Sequence, residues 1–218
     1  MSLNQPDGFL ALPDGGRGAP VLVVHPWWGL NTTIKNMCTR LAAAGFVVFA
    51  PDLYHGTVTA VIDEANELVR ALDYEAASAD VAAAIAYLDE QAGRPAGGLA
   101  TIGFSMGAWY AAEASTQFPE RVRAVVLYYG AVPGDYSGAQ ASFLGHFAEN
   151  DPYEEQEYVE ATEADLRRDG RPVALQVYPG TTHWFAEADR ADAYDEAAAE
   201  LAWQRTVAFL NETIGQGS

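Results

Sequence analysis

Short, almost uninterrupted apolar runs recur along this chain with helix-length segments between them. No other feature restricts the fold as much. Val21-Leu22-Val23-Val24-His25, Phe46-Val47-Val48-Phe49-Ala50 (stopped by Pro51), Leu99 to Phe104, Val122 to Tyr129, Ala141 to His146 and Val173 to Tyr178 each have the length of a strand. None alternates cleanly between polar and apolar residues, so each expects cover on both faces. That is the condition of a mostly parallel sheet between two helical layers. The intervening segments carry helical patterns. Ile34, Cys38 and Leu41 fall at i, i+4 and i+7 in a helix that starts near Thr33 and is ended by Gly45. One helix is expected near Asp63 to Leu72, and another near Tyr74 to Gln91 with Val81, Ala84, Ile85 and Leu88 as its stripe. A small-residue helix covers Ala108 to Ser115, and a polar one about Glu154 to Asp169. A long final helix, about Ala193 to Ile214, has Trp203, Val207, Leu210 and Ile214 on its apolar side. Phe9 to Leu12 adds a short edge strand, and the Gly15–Gly18 and Gly97-Gly98 clusters read as turns. Sheets of this class bind ligands beyond the C-terminal ends of their strands.

The 218 residues suffice for one large core and are short for two, and no repeat or linker divides them, so residues 1–218 are expected to form a single domain. The formal charge of −18 argues against nucleic acid as a partner, because phosphate repulsion would dominate. It reads as a solvated surface, with a calcium site or a basic partner protein as lesser alternatives. The single cysteine, Cys38, excludes an internal disulfide and sits on an apolar helical face, as a core residue would. One cysteine and four scattered histidines make a poor structural zinc set, and no metal or organic cofactor is expected. Without a run of eighteen apolar residues or the basic and apolar segments of a signal peptide, the expectation is a soluble, cytoplasmic protein with no membrane partner.

Chemistry enters with Gly103-Phe104-Ser105-Met106-Gly107, a G-x-S-x-G pentapeptide set between a buried strand and a helix. On a sharp strand-to-helix turn the serine hydroxyl is pushed out above the sheet, and side chains in place of the glycines would collide with neighbouring backbone. A serine nucleophile needs a base, and the base needs an orienting acid. After Ser105, one strand empties into Phe147-Ala148-Glu149-Asn150-Asp151-Pro152 and the next into Pro179-Gly180-Thr181-Thr182-His183. Asp151 and His183 thus fall a few residues beyond successive strand ends, with Glu149 and Asp135 as competing acids. His25 and His55 read as groups that line or brace the site, and His146 as a satisfied structural histidine. The oxyanion formed on attack needs two backbone N–H donors. Met106 can supply one at the head of its helix. The other belongs to the loop after the first buried strand, where Pro26 has no N–H and Trp27 does.

Residues 9 to 212 resemble the dienelactone hydrolase family of α/β-hydrolases. The likeness is carried by His25-Pro26-Trp27-Trp28-Gly29-Leu30-Asn31, Ala50-Pro51-Asp52-Leu53-Tyr54-His55-Gly56 and the serine pentapeptide. Leu144 to Asp151, Tyr178-Pro179-Gly180-Thr181-Thr182-His183-Trp184-Phe185-Ala186 and Ala202-Trp203 complete it. The resemblance implies a compact α/β-hydrolase fold without a large lid, Ser105, Asp151 and His183 as a triad, and the Trp27 N–H as second oxyanion donor. It departs from the family's namesake enzymes in three places. Ser105 stands where they have a nucleophilic cysteine, and Pro26 where they have a glutamate paired with it. Glu187 stands where they carry a substrate-binding arginine, and only Arg70 offers itself as a counterpart of their other arginine. An acid at 187 should repel a carboxylate, which sets dienelactone itself apart from the expected substrates.

Trp27, Trp28, Tyr54, Tyr128, Trp184 and Phe185 lie near strand ends and are candidates to line an apolar acyl or aryl site. The expectation is a serine hydrolase acting on a small ester, lactone or thioester, as a monomer or homodimer. The rivals are a ligand-binding protein that keeps the fold without the chemistry, and an acidic interaction module.

Overall fold

The computed structural model describes residues 4–215, so the extreme ends of the 1–218 span lie outside the described residues. Seven strands form one sheet: β1 (Gly8–Ala11), β2 (Pro20–Val24), β3 (Val47–Pro51), β4 (Leu99–Phe104), β5 (Val122–Tyr128), β6 (Ser142–Ala148) and β7 (Val173–Tyr178). Their order is β1-β3-β2-β4-β5-β6-β7, with β1 antiparallel to β3 and every other pair parallel. Helices α1 (Thr32–Ala43), α2 (Ile62–Ala71), α3 (Tyr74–Gln91), α4 (Met106–Gln117), α5 (Gln156–Arg168) and α6 (Glu196–Thr213) fill the connections. The fold is a compact α/β-hydrolase sheet with helices on both faces.

Each strand sends alternate residues to opposite layers. Val21, Val23, Ile102, Val126 and Leu144 pack on Ile34, Cys38 and Leu41 of α1 and Ala202 and Leu210 of α6. Leu22, Val24, Phe49, Val125 and Phe143 pack on Val81, Ile85 and Leu88 of α3, Ala111 of α4 and Leu166 of α5. Cys38 belongs to the first layer, and burial pushes its thiol up to about 12, so it is an inert core group.

Element ends differ from expectation where local hydrogen bonds decide them. Phe46 gives its N–H to Leu41 and closes α1, so β3 begins one residue later. β6 runs past His146 because Phe147 and Ala148 pair with Val177 and Tyr178 of β7. The last helix starts at Glu196, where Asp195 caps it by accepting from the Ala198 N–H. No helix among the described residues is long and apolar enough to cross a membrane.

The chain runs from β2 outward to β3 and then back across to β4. That reversal opens a crevice beyond the C-terminal ends of β2 and β4. The loops after β2, β4, β6 and β7 all emerge at that end of the sheet.

Candidate active site

Ser105 stands between β4 and α4 with φ 49° and ψ −116°, a left-handed conformation that ordinary residues avoid. The glycines around it are dictated by contact. A Cβ on Gly107 would lie 2.3 Å from the Val24 carbonyl oxygen, and one on Gly103 would lie 2.2 Å from the Gly107 oxygen. Gly130 serves the same end, because a Cβ there would reach 2.7 Å from the Ser105 oxygen. The turn is wedged between the ends of β2 and β5, and the Ser105 N–H is anchored on the Tyr128 carbonyl.

From this turn a hydrogen-bonded chain of side chains runs inward. Ser105 Oγ lies 2.9 Å from His183 Nε2. His183 Nδ1 lies 2.7 Å from Asp151 Oδ2 and 2.9 Å from Oδ1. An ionised carboxylate only accepts, so it fixes the proton on Nδ1 and leaves Nε2 to accept from the serine hydroxyl. Asp151 is itself held in place. Its Oδ1 accepts the N–H groups of Tyr153 and Glu154 at 2.9 and 3.0 Å. His183 and Asp151 side chains are 2% and 4% exposed, so the pair is shielded from water. The Trp27 and Met106 amides, the two expected oxyanion donors, engage no acceptor among the described residues.

The competing acids are placed elsewhere. Glu149 accepts from the Gly180 N–H at 2.8 Å and ties the acid loop to the base loop. Asp135 accepts from the Ser137 N–H in its own turn. His25 is fully buried and bridges two loops, donating from Nδ1 to the Pro26 carbonyl and accepting the Leu53 N–H on Nε2. Burial holds its pKa below the ordinary histidine value. His55 does not reach the site; it is exposed beside Asp7 and Asp80. His146 is satisfied on both nitrogens, by the Tyr178 hydroxyl and Thr206, and burial lowers its pKa to about 3.

The aromatic candidates divide. Trp27 is half-buried and stacks on Trp184 at 5.9 Å, while Trp184 meets His183 edge-on at 5.0 Å. Trp28 is buried behind both, under the Arg190 guanidinium at 4.2 Å. Tyr54 donates its hydroxyl to Met106 Sδ and flanks the serine turn. Tyr128 and Phe185 do not line the site, contrary to expectation. Tyr128 is turned to the α6 layer, with its hydroxyl on Thr206 and its ring stacked on Phe104. Phe185 is fully buried against Tyr129 and Tyr178. Tyr128 ends β5 and Phe185 lies in the loop after β7, and both rings face the core.

Glu187 also differs from expectation. It is fully buried and accepts from the Tyr129 hydroxyl at 2.9 Å, and burial raises its pKa to about 8. Buried and with its protonated form favoured, it presents no exposed carboxylate to a substrate. Arg70 lies exposed on α2. Three neighbours of the site have no distinctive sequence signal. Tyr129 (φ 37°) packs 5.0 Å from His183, Tyr153 lies 5.1 Å from the same ring, and Glu154 accepts from the Ala131 N–H at 2.8 Å. Burial and the nearby Asp151 push the Glu154 carboxyl up to about 7.

Comparison with known proteins agrees with this architecture. The chain matches the dienelactone hydrolase family over residues 7–214. It is 31% identical to the protein usf of Aquifex pyrophilus, covering 95% of this chain and 93% of that one. It is also 31% identical to a protein of Aquifex aeolicus named "Putative carboxymethylenebutenolidase", over 93% and 91% of the two chains. Among solved structures, a dienelactone hydrolase-like promiscuous phosphotriesterase from metagenomic libraries superposes with a TM-score of 0.82 at 23% identity. That superposition covers 92% of this chain and 88% of the other, and it speaks for the fold.

Proposed function

The chain belongs to the dienelactone hydrolase family of carboxylic ester hydrolases, and from that premise we propose that it cleaves a small ester, lactone or thioester through an acyl-enzyme on Ser105. The observation that carries the reading is the unbroken contact from Ser105 Oγ through His183 to Asp151, beside two unused backbone donors.

In this mechanism Ser105 Oγ attacks the substrate carbonyl and passes its proton to His183 Nε2. Asp151 holds the imidazole by its Nδ1–H and stabilises the imidazolium as it forms. The carbonyl oxygen becomes an oxyanion received by the Trp27 and Met106 amides, the latter at the positive end of α4. Collapse breaks the bond from the carbonyl carbon to the leaving group, whose oxygen (sulfur in a thioester) keeps the electron pair and takes the proton from His183. Water then repeats the sequence, giving its proton to His183 and releasing the acid from Ser105. The residues need no metal or organic cofactor for these steps, and no nucleic acid or membrane enters them. Burial of His183 and Asp151 strengthens their interaction by excluding water.

Because Glu187 is buried with its protonated form favoured, it presents no exposed carboxylate at that position to select substrate charge. The half-buried Trp27 and the nearby Trp184 favour apolar substituents around the reacting carbonyl. The test is hydrolysis of p-nitrophenyl acetate by the wild type and by Ser105→Ala. The variant should fall by about a thousandfold or more. Equal rates in the two proteins would overturn the mechanism.

A further inference from the structure

Three rings surround His183, and only one of them faces solvent. Tyr129 is fully buried and Trp184 is 5% exposed, whereas Tyr153 is 45% exposed. The Tyr153 ring lies 5.1 Å from the His183 ring, 4.8 Å from Trp184 and 5.6 Å from Trp27, the residue whose amide is the proposed oxyanion donor. Its backbone is pinned from both sides. Its own N–H is bonded to Asp151, and the adjacent Glu154 reaches across to the Ala131 N–H. Tyr153 is therefore a fixed aromatic surface at the mouth of the site.

The proton bookkeeping of ester cleavage says which part of a substrate meets that surface. When the tetrahedral intermediate collapses, the carbon–oxygen bond breaks and the departing oxygen keeps the electron pair. That oxygen takes the proton held on His183 Nε2, so it must sit against the imidazole. The group attached to it then runs outward along the solvent-facing neighbour of His183. Resting on the serine hydrolase reading, we infer that Tyr153 contacts the alcohol portion of the substrate and selects flat, aromatic leaving groups over alkyl ones. A planar group can lie against Tyr153 and the edge of Trp27 with the offset or edge-on geometries that rings prefer. A short alkyl chain leaves most of that surface wet.

The experiment compares phenyl acetate with ethyl acetate in wild type, Tyr153→Phe and Tyr153→Ala. Both esters yield the same acetyl-enzyme, so deacylation serves as an internal reference for the Asp151–His183 geometry. The ratio of kcat/KM for phenyl over ethyl acetate should fall about tenfold in Tyr153→Ala and stay within about twofold of wild type in Tyr153→Phe. If Tyr153 only stiffens the acid turn, both esters and the deacylation rate fall together, the ratio holds, and the inference is overturned. An unchanged ratio with unchanged rates overturns it as well. Absence of hydrolysis of both esters by the wild type is a different failure, because it rejects the serine hydrolase reading itself.

Discussion

Ser105 holds a backbone conformation that costs on the order of 1–3 kcal/mol, and the glycines and anchoring hydrogen bond around it are what the fold supplies to hold it there. The strain has a use, because it lifts Oγ clear of the sheet and towards His183. Asp151 shows the same economy, orienting the imidazole while its Oδ1 closes a turn with the amides of Tyr153 and Glu154. Asp151→Asn keeps a carbonyl oxygen for that turn but can present an amide N–H to the imidazole, which favours the wrong tautomer. Ester hydrolysis by that variant should fall by about 10³- to 10⁴-fold with the folded state retained, as read by steady-state kinetics beside a thermal melt. At this scale the juxtaposition of Ser105, Asp151 and His183 was legible because motif, order and strand-end position agree. Tyr153 and Glu154 were not, since they lie in a loop whose course depends on a bond to Ala131, more than twenty residues away.

At the scale of elements, the site is a product of which strands end beside which. Ser105 follows β4, Asp151 follows β6 and His183 follows β7, so the short segments beyond β6 and β7 must turn back across the sheet end to the serine turn. Glu149 on Gly180 and Asn150 on Thr181 join those loops directly. The serine turn tolerates no extra atom on Gly107, because its obstacle is the backbone of β2. Gly107→Ala should lose about 1–3 kcal/mol of stability, seen as a lowered Tm, and lose activity with it. Gly134→Ala, with nothing within 4 Å of the added methyl, should be nearly neutral in both measurements. β7, at the sheet edge, is half-exposed despite its apolar run, whereas the interiors of β4, β5 and α3 could be read from apolar runs and helical stripes because burial determines them. Their neighbours' ends could not, where a cap such as Asp195 or a pairing such as Ala148 with Tyr178 decides. Nor could the facing of Tyr128 and Phe185, since a position at or beyond a strand end leaves open which layer the ring enters.

For the whole molecule, burial of Glu187 links the site to stability. Its native pKa, about 8, exceeds the ordinary 4.5, so folding favours its protonated form. That contribution is fully present below pH 4.5 and is lost as pH rises through about 8. Tyr129, Asp189 and Arg190 are the groups that face it: Tyr129 donates to it, Asp189 disfavours its charge and Arg190 favours it. Glu187→Gln keeps an acceptor for the Tyr129 hydroxyl and removes the titration. Denaturant melts should therefore show wild type losing stability relative to Glu187→Gln between pH 5 and pH 8, by an amount on the order of a few kcal/mol. Parallel stability curves would contradict this.

The charge of −18 bears on surface solvation and partners, whereas the proposed chemistry rests on Ser105, His183 and Asp151 at one end of the sheet. Ester cleavage by the proposed route requires that Ser105 become covalently acylated. Intact-protein mass spectrometry after reaction with a fluorophosphonate, followed by peptide mapping, tests it most directly. One adduct per chain is expected, on Ser105, absent from Ser105→Ala and strongly slowed in His183→Ala. An unmodified wild type, or an adduct that persists in Ser105→Ala, would contradict it.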